Sequence, residues 1–273
     1  MRTHLFLLKL LLMAIGMASS VVATDAIVIK GSDTLGAKLI PIMVEEFKAQ
    51  RPGVSFEIAV EGSTTGIAAI INGTADIGMS SRNITDTEIA AAKRKGVEIE
   101  QHVVAYDGVA VVVCASNPLS GLRRRQIEQI FTGQVVDWAA VGGPPGRISL
   151  YTRNTASGTH SDFKRLIMRR RDYSRDAQVL AGNEQIAAEV ADNPNGIGYV
   201  GLIYADSPGI KALAIDGLFL DSLFRPGSDY PLSRPTYLYT KVAPKSVVVD
   251  FLEFVKGRVG QGIIAREGFV ALP

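Results

Sequence analysis

Short apolar runs of strand length alternate with helical patterns along most of this chain, and this alternation restricts the fold more than any other feature. Residues 26–29 and 54–60 have strand character, whereas apolar residues at helical spacing predict a helix over residues 35–50. Further strands are predicted over residues 75–79, 103–115, 148–153 and 236–240, further helices over 66–72, 87–95, 124–131, 159–171, 185–191 and 245–259, and a turn over 193–198. Such alternation favours an α/β fold with a parallel sheet covered by helices.

The long apolar run over residues 103–115 predicts a strand that crosses from one lobe to another, and residues 199–200 predict a return crossing. We therefore expect two lobes. Lobe one comprises residues 24–104 with about 205–273, and lobe two comprises about 105–204. A cleft between two lobes is a preferred place for a small ligand.

The first 23 residues have the pattern of a cleavable signal peptide. Arg2 and Lys9 give a basic start, residues 10–17 are apolar, and small residues lead to a cleavage point after Ala23. A membrane anchor is the alternative, but the apolar stretch is shorter than the roughly 20 residues that a spanning helix needs. The pattern predicts export to the periplasm.

Charge and cysteine content limit what this chain can do. A net charge of +2 does not suggest a nucleic-acid partner, because such domains usually carry a strong basic excess. Binding of an anion would then depend on a few local residues. The single cysteine, Cys114, allows no internal disulfide, and its apolar surroundings favour a packed thiol.

Four segments share one design, in which a strand ends, Gly, Ser or Thr residues follow, and a helix begins. They are residues 31–34, 62–66, 80–83 and 157–159. A helix start leaves backbone N–H groups unpaired and carries partial positive charge, so it suits an anion. Helix capping alone is the alternative for each segment. In an open α/β sheet, however, the strand ends face one edge, which would bring the segments together.

Two arginines stand at these junctions. Arg153 lies at the end of a predicted strand, four residues before Ser157, and Arg82 directly follows Ser81. A guanidinium offers a planar fork of donors that matches a tetrahedral oxyanion. Both arginines are therefore candidate anion ligands, with an ordinary surface arginine as the alternative for each.

The sequence does not indicate catalysis. His160 is too close to Ser157 in sequence to serve as the base of an ordinary triad, and the chain has no Gly-x-Ser-x-Gly elbow. The three histidines are His4, His102 and His160, and no pair has metal-ligand spacing. We predict no catalytic residue, no metal and no cofactor.

The ordered set of motifs resembles the periplasmic phosphate-binding proteins of ABC phosphate importers. The segments are GSDTL at 31–35, EGSTTG at 61–66, ADIGMSSR at 75–82, YDGVA at 106–110, IFTG at 130–133 with Trp138, RNTASGT at 153–159, SRPTYLY at 233–239 and GFVAL at 268–272. The resemblance implies a two-lobed type II periplasmic binding protein fold, with the ligand cleft between the lobes. It also implies a monomer that delivers inorganic phosphate to a membrane permease.

The resemblance implies a defined set of phosphate ligands. They are Thr34, the backbone of Leu35, Ser63, Ser81, Arg153, Ser157, Gly158 and Thr159. Two positions depart from well-known members of the family, which have at the Ser81 position an aspartate that accepts the ligand's proton and so rejects sulfate. Thr155 stands where a carboxylate usually steadies the binding arginine. Asp107 is a candidate replacement for the proton acceptor.

Three other functions remain as alternatives. The chain could bind another tetrahedral oxyanion such as sulfate or molybdate, it could be a phosphate sensor or surface adhesin that has lost transport, or it could hydrolyse phosphate esters in the same cleft.

Overall fold

The computed structural model describes residues 25–224 and 228–273, and the predicted signal peptide lies outside them. The strands in these ranges are β1 (Asp25–Gly31), β2 (Val54–Val60), β3 (Ile77–Ser80), β4 (Ile99–Cys114), β5 (Gly121–Leu122), β6 (Ser149–Arg153), β7 (Gln178–Leu180), β8 (Gly196–Gly201), β9 (Ile210–Ala212), β10 (Ala214–Ile215) and β11 (Ser233–Lys241). The α-helices are α1 (Asp33–Gly36), α2 (Leu39–Gln50), α3 (Ser63–Asn72), α4 (Asp86–Arg94), α5 (Arg124–Phe131), α6 (Gly158–Leu166), α7 (Asn183–Asp192), α8 (Ser246–Lys256) and α9 (Arg258–Arg266). None of the helices in these ranges has both the length and the apolar character needed to span a bilayer.

Nine strands of the described chain form one mixed sheet. Its order is β2-β1-β3-β11-β4-β8-β6-β7, and β9 pairs with β4 outside this path. The two ends are parallel, because β1 runs with β2 and β3, and β6 runs with β7 and β8. The middle is antiparallel, since β11 runs against β3 and β4, and β4 runs against β8. The α/β class is confirmed, whereas the expectation of a parallel sheet holds only towards the two ends.

The central strand β4 joins the two parallel ends. It is 16 residues long, pairs with β11 as far as Gly108, and pairs with β8 from Val109 onwards. The change of partner falls inside residues 103–115, the run whose interrupted apolar pattern predicted a crossing strand.

Two helices predicted as continuous are broken for a local reason. The predicted helix over residues 35–50 is α1 followed by α2, with Lys38 outside helical geometry. Pro41 lies in the first turn of α2, where a missing N–H costs little, but its ring would clash with the carbonyl of Ala37 in an unbroken helix. The helix predicted over residues 245–259 ends at Lys256, and extended Gly257 separates it from α9.

Other boundaries differ because glycine and left-handed backbone are weak sequence signals. The helix predicted over residues 159–171 ends at Leu166, and Arg169 and Arg170 then adopt φ of 52° and 66°. The turn predicted over residues 193–198 leads into β8, whose glycines allow close packing against α7.

The two largest of four apolar clusters in the described residues lie along the sheet. The first combines side chains from residues 27–105 with side chains from residues 238–269. The second combines residues 109–202 with residues 213–232. The sequence boundary assigns residues 213–232 to lobe one, yet their buried side chains pack with the core that contains Trp138 and Phe163.

Candidate anion-binding site

The four Gly/Ser/Thr junctions meet at one edge of the sheet. β1 and β3 are parallel neighbours, so the segment after Gly31 and the segment after Ser80 emerge side by side. Ser32 N donates to Met79 O at 3.0 Å, which ties these two ends together. The junction at Gly62 joins the junction before α6, since Thr64 N donates to Ala156 O at 3.1 Å.

Side-chain hydroxyls from all four junctions form two close pairs. The Oγ1 atoms of Thr34 and Thr159 are 3.3 Å apart, and the Oγ atoms of Ser63 and Ser81 are also 3.3 Å apart. Ser81 N donates to Ser63 Oγ at 3.0 Å. All four side chains are buried. Residues that are far apart in sequence, such as Thr34 and Thr159, therefore meet in one enclosed cluster.

Gly158 brings the two hydroxyl pairs to one place. A Cβ atom at this position would lie 2.6 Å from Ser81 Oγ and would overlap Ser63 Oγ. The backbone at the start of α6 therefore lies directly against these two serines, and only glycine allows the approach. Gly62 has a similar role, because a Cβ there would lie 2.6 Å from Ala156 O and its φ is 111°.

Leu35 and Ser157 have structural contacts of their own. The side chain of Leu35 is buried in the first core, while its backbone lies in α1, next to Thr34. Ser157 is the N-cap of α6, and its Oγ accepts from His160 N at 3.2 Å. This bond matches the capping alternative. It still leaves the hydroxyl proton of Ser157 free to donate to a ligand.

Arg153 is the last residue of β6 and is 2% exposed. Its Nη1 donates to Asp33 Oδ2 at 3.1 Å, and Asn183 donates to the same oxygen through its backbone and side-chain amides. Burial lowers the pKa of Arg153, and the negative charge of Asp33 opposes this shift. Among the described residues, the buried Nε of Arg153 has no hydrogen-bond partner. Asp33 thus supplies the carboxylate that Thr155 cannot supply.

Arg82 is engaged elsewhere. Its guanidinium makes two bonds to Glu88, of 2.6 and 2.9 Å, and one to Thr64 Oγ1 at 3.0 Å. Burial raises the pKa of Glu88, but the bonds from Arg82 and Thr85 outweigh it and leave a net lowering. These bonds account for both Nη atoms of Arg82, so its contact with a ligand stays a prediction.

Sequence reasoning missed Arg234 as a site residue. Arg234 lies on β11 and is 2% exposed, and its Nη2 donates to Thr159 Oγ1 at 2.9 Å and to Asp107 Oδ2 at 2.8 Å. Asp107 is fully buried, and burial raises its pKa although Arg234 acts in the opposite direction. Its position gave little signal, because Arg234 stands between Ser233 and Pro235, just before the strand predicted over residues 236–240. Asp107 accepts from Arg234, and its proposed role as a proton acceptor stays a prediction.

Comparison with known proteins identifies the family. The model of the PBP superfamily domain matches residues 18–258. Phosphate-binding protein PstS of Pseudomonas aeruginosa is 31% identical over 266 residues, which cover 89% of this chain and 82% of the relative. This chain belongs to the PBP superfamily, within the phosphate-binding protein family. PstS of Bacillus subtilis is 24% identical, with coverage of 91% and 81%.

Solved structures of phosphate-binding proteins share the fold. A substrate-binding protein from Clostridium perfringens, solved with bound phosphate, superposes with a TM-score of 0.84 at 29% identity, covering 91% of this chain and all of that one. An ABC-type phosphate transport receptor from Vibrio cholerae gives 0.75 at 29% identity, covering 90% and 100%. The type II periplasmic binding protein fold expected from the sequence is thus confirmed.

Ser157 and His160, the two residues that a hydrolase would need, both make structural contacts. The ring of His160 stacks on Tyr173 at 4.6 Å between centroids, and only the backbone N–H of His160 reaches Ser157 Oγ. Burial lowers the pKa of His160 to about 4.

Cys114 is buried and contacts Ser116 Oγ and Ala191 O. Among the described residues, no group of three or more His, Cys, Asp or Glu is arranged to hold a metal.

A groove of about 860 Å³ adjoins the cluster. It is lined by α6 from His160 to Arg165, by the start of α4, and by Arg234 and its neighbours on β11. Through Arg234, which borders both, the groove reaches the buried hydroxyls of Thr34 and Thr159.

Proposed function

We propose that this chain is an exported receptor that captures inorganic phosphate and delivers it to the membrane permease of an ABC importer. One observation carries the proposal. Buried hydroxyls from four separate junctions, at Thr34, Ser63, Ser81 and Thr159, lie in one cluster, and Arg153 pairs with Asp33, the residue next to Thr34.

Hydrogen bonding explains why an oxyanion suits this spot. Hydroxyls and helix-start amides donate without bringing a full charge. Arg153 adds a guanidinium whose Nε has no hydrogen-bond partner in residues 25–224 and 228–273. Exclusion of water strengthens each bond, because the competing solvent is absent. The names of the related proteins support phosphate as the ion.

Binding without catalysis is part of the proposal. Ser157 is occupied as a helix cap, and the ring of His160 packs against Tyr173 instead of Ser157. Turnover of a chromogenic phosphate ester that disappears in Ser157→Ala would contradict this part. Size-exclusion chromatography would test the expected monomer, and co-purification with the permease would separate a transport receptor from a sensor or adhesin.

Calorimetric titration tests the binding proposal. We expect phosphate to bind, and Arg153→Ala to weaken binding by about 2–5 kcal/mol, because the change removes a buried charge and leaves Asp33 unpaired. Arg124→Ala is the control, since Arg124 also pairs with an aspartate, Asp216, but at the exposed surface. Titrations with arsenate, sulfate and molybdate define the anion class. Unchanged phosphate affinity in Arg153→Ala would remove Arg153 from the site.

A further inference from the structure

Asp33 joins two parts of the molecule that pack separately. It lies on α1, where the side chain of Leu35 is buried in the first apolar core. Its partners are Asn183, which begins α7, and Arg153, which ends β6. The apolar side chains of α7 pack in a different cluster, together with Tyr151 of β6 and with side chains of β4 and β8. The bonds between Asp33 and these partners therefore cross from one packed part to the other.

Asp33 caps the start of α7, which has no side-chain cap of its own. The N-cap position is Gly182, and the first N–H groups of a helix lack partners within the helix. Asp33 Oδ2 accepts from the backbone N of Asn183 at 3.1 Å and from its Nδ2 at 2.6 Å. A Cβ atom added at Gly182 would lie 3.2 Å from Asp33 Oδ1. A carboxylate from α1 thus occupies the place that a capping side chain usually fills.

The side chain of Asn183 makes bonds in two directions. It is fully buried, and its Oδ1 accepts from Gly201 N at 3.0 Å. Gly201 ends β8 and pairs with Val109, the residue at which β4 changes its partner from β11 to β8. One amide side chain therefore connects Asp33 to the strands that cross between the two parts.

The oxygen that Asn183 holds is also the oxygen that Arg153 contacts. Asp33 Oδ2 accepts three bonds, two from Asn183 and one from Arg153 Nη1 at 3.1 Å. Asn183 therefore supplies most of the bonds that fix the position of this oxygen. Thr34 follows Asp33 directly, and its Oγ1 is 3.3 Å from Thr159 Oγ1. A shift of Asp33 away from α7 would accordingly displace the partner of Arg153 and a hydroxyl of the anion site together.

We propose that Asn183 is a positioning residue, which holds the carboxylate of Asp33 against Arg153 and the start of α7 and thereby slows the release of bound phosphate. It acts through Asp33 and Arg153, and contact between Asn183 and the ion is not required. This inference rests on the proposed function and specifies a contact between the two parts that controls how long the ion is retained.

The variant Asn183→Asp separates positioning from a purely structural role. It keeps a side-chain oxygen that can accept from Gly201 N, but it replaces the Nδ2 donor with a second carboxylate oxygen beside Asp33. An acidic residue in the first turn also suits the helix dipole of α7. We therefore expect the urea midpoint of the phosphate-free protein to stay at the wild-type value or to rise. Phosphate, in contrast, should be released at least about tenfold faster.

Rapid filtration measures the release of radiolabelled phosphate into an excess of unlabelled phosphate. Calorimetric affinity, combined with this rate, gives the association rate, which we expect to stay within about threefold of wild type. Asn195→Asp is the matched control, because it makes the same chemical change at an exposed position beyond the other end of α7 and should leave release unchanged.

An exchange of the two side chains tests the contact directly. Asp33→Asn alone should also release phosphate faster. The double variant Asp33→Asn with Asn183→Asp again places an amide donor opposite a carboxylate, so it should release phosphate more slowly than either single variant. Where Asn183→Asp does not fold, Gly182→Ala carries the measurement, since its Cβ would press on Asp33 Oδ1 while Asn183 stays intact.

The outcomes are distinct. Wild-type release in Asn183→Asp, equal acceleration in Asn195→Asp, or a double variant no slower than the single variants overturns the inference. A wild type that binds no phosphate overturns the proposed function, and the inference with it.

Discussion

The variant Gly158→Ala tests the close contact between the start of α6 and the side chains of Ser63 and Ser81. A Cβ atom at this position would lie 2.6 Å from Ser81 Oγ and overlap Ser63 Oγ, whereas close carbon–oxygen contacts are about 3.3–3.6 Å. The start of α6 would therefore have to move away from the two serines by close to 1 Å. Overpacking of this kind costs about 1–3 kcal/mol, which corresponds to about 5- to 150-fold in phosphate affinity.

The loss should appear in binding more than in folding. Gly158 and Ser63 belong to different predicted lobes, so the lobes can relieve the overlap by staying apart when no ligand is present. We expect calorimetry to show weaker phosphate binding, while the free energy of unfolding without phosphate changes by less than about 1 kcal/mol. Gly262→Ala is the matched control, since that glycine lies in α9 with nothing within 4 Å of its added Cβ. Wild-type affinity in Gly158→Ala would refute the geometry.

Two further predictions concern stability. Glu88→Gln should lower the free energy of unfolding by about 3 kcal/mol in urea denaturation, because it leaves buried Arg82 without its ionic partner, and a change below about 0.5 kcal/mol would contradict this. His160→Gln should reduce acid sensitivity. With a folded pKa of about 4, below the ordinary value of 6.5, His160 stays neutral in the fold while the unfolded chain takes up a proton as pH falls. Stability therefore drops through that window by about 1–2 kcal/mol, after allowance for solvent screening of this half-buried ring. The variant should lose that drop in denaturation curves at about pH 7 and about pH 4.5, and an unchanged pH dependence would show that the ring does not titrate this way.

The part of the site that could be predicted from sequence is the part that local rules determine. A strand that ends in Gly, Ser or Thr before a helix fixes where Thr34, Ser63 and Ser157 lie, because parallel strand ends share an edge. The ion pairs could not be predicted in this way. Asp33 and Arg153 are 120 residues apart, and Asp107 and Arg234 are 127 apart, so each pairing depends on sheet order and register.

The breaks in the helices show the same limit. Apolar spacing predicts one helix over residues 35–50. It takes no account of the clash between the ring of Pro41 and the carbonyl of Ala37 in a continuous helix. Likewise the short strands β5, β7, β9 and β10 have two or three residues each, too few for a period to be visible. The longer strands β6 and β4 provide edges on which β7 and β9 pair, whereas β5 and β10 pair with each other in a separate two-stranded sheet.

The two buried ion pairs differ in what they join, and this difference bears on how the ligand controls closure. Asp107 and Arg234 are neighbours in the sheet, so their pair persists whether or not the predicted lobes separate. Asp33 and Arg153 lie in different predicted lobes, as do Thr34 and Thr159. Separation would leave Arg234 paired, while Arg153 and the threonines lose their partners. Arg234 then supplies a fixed donor in both states, and the contacts of Arg153 with Asp33 and with the anion form together as the lobes close.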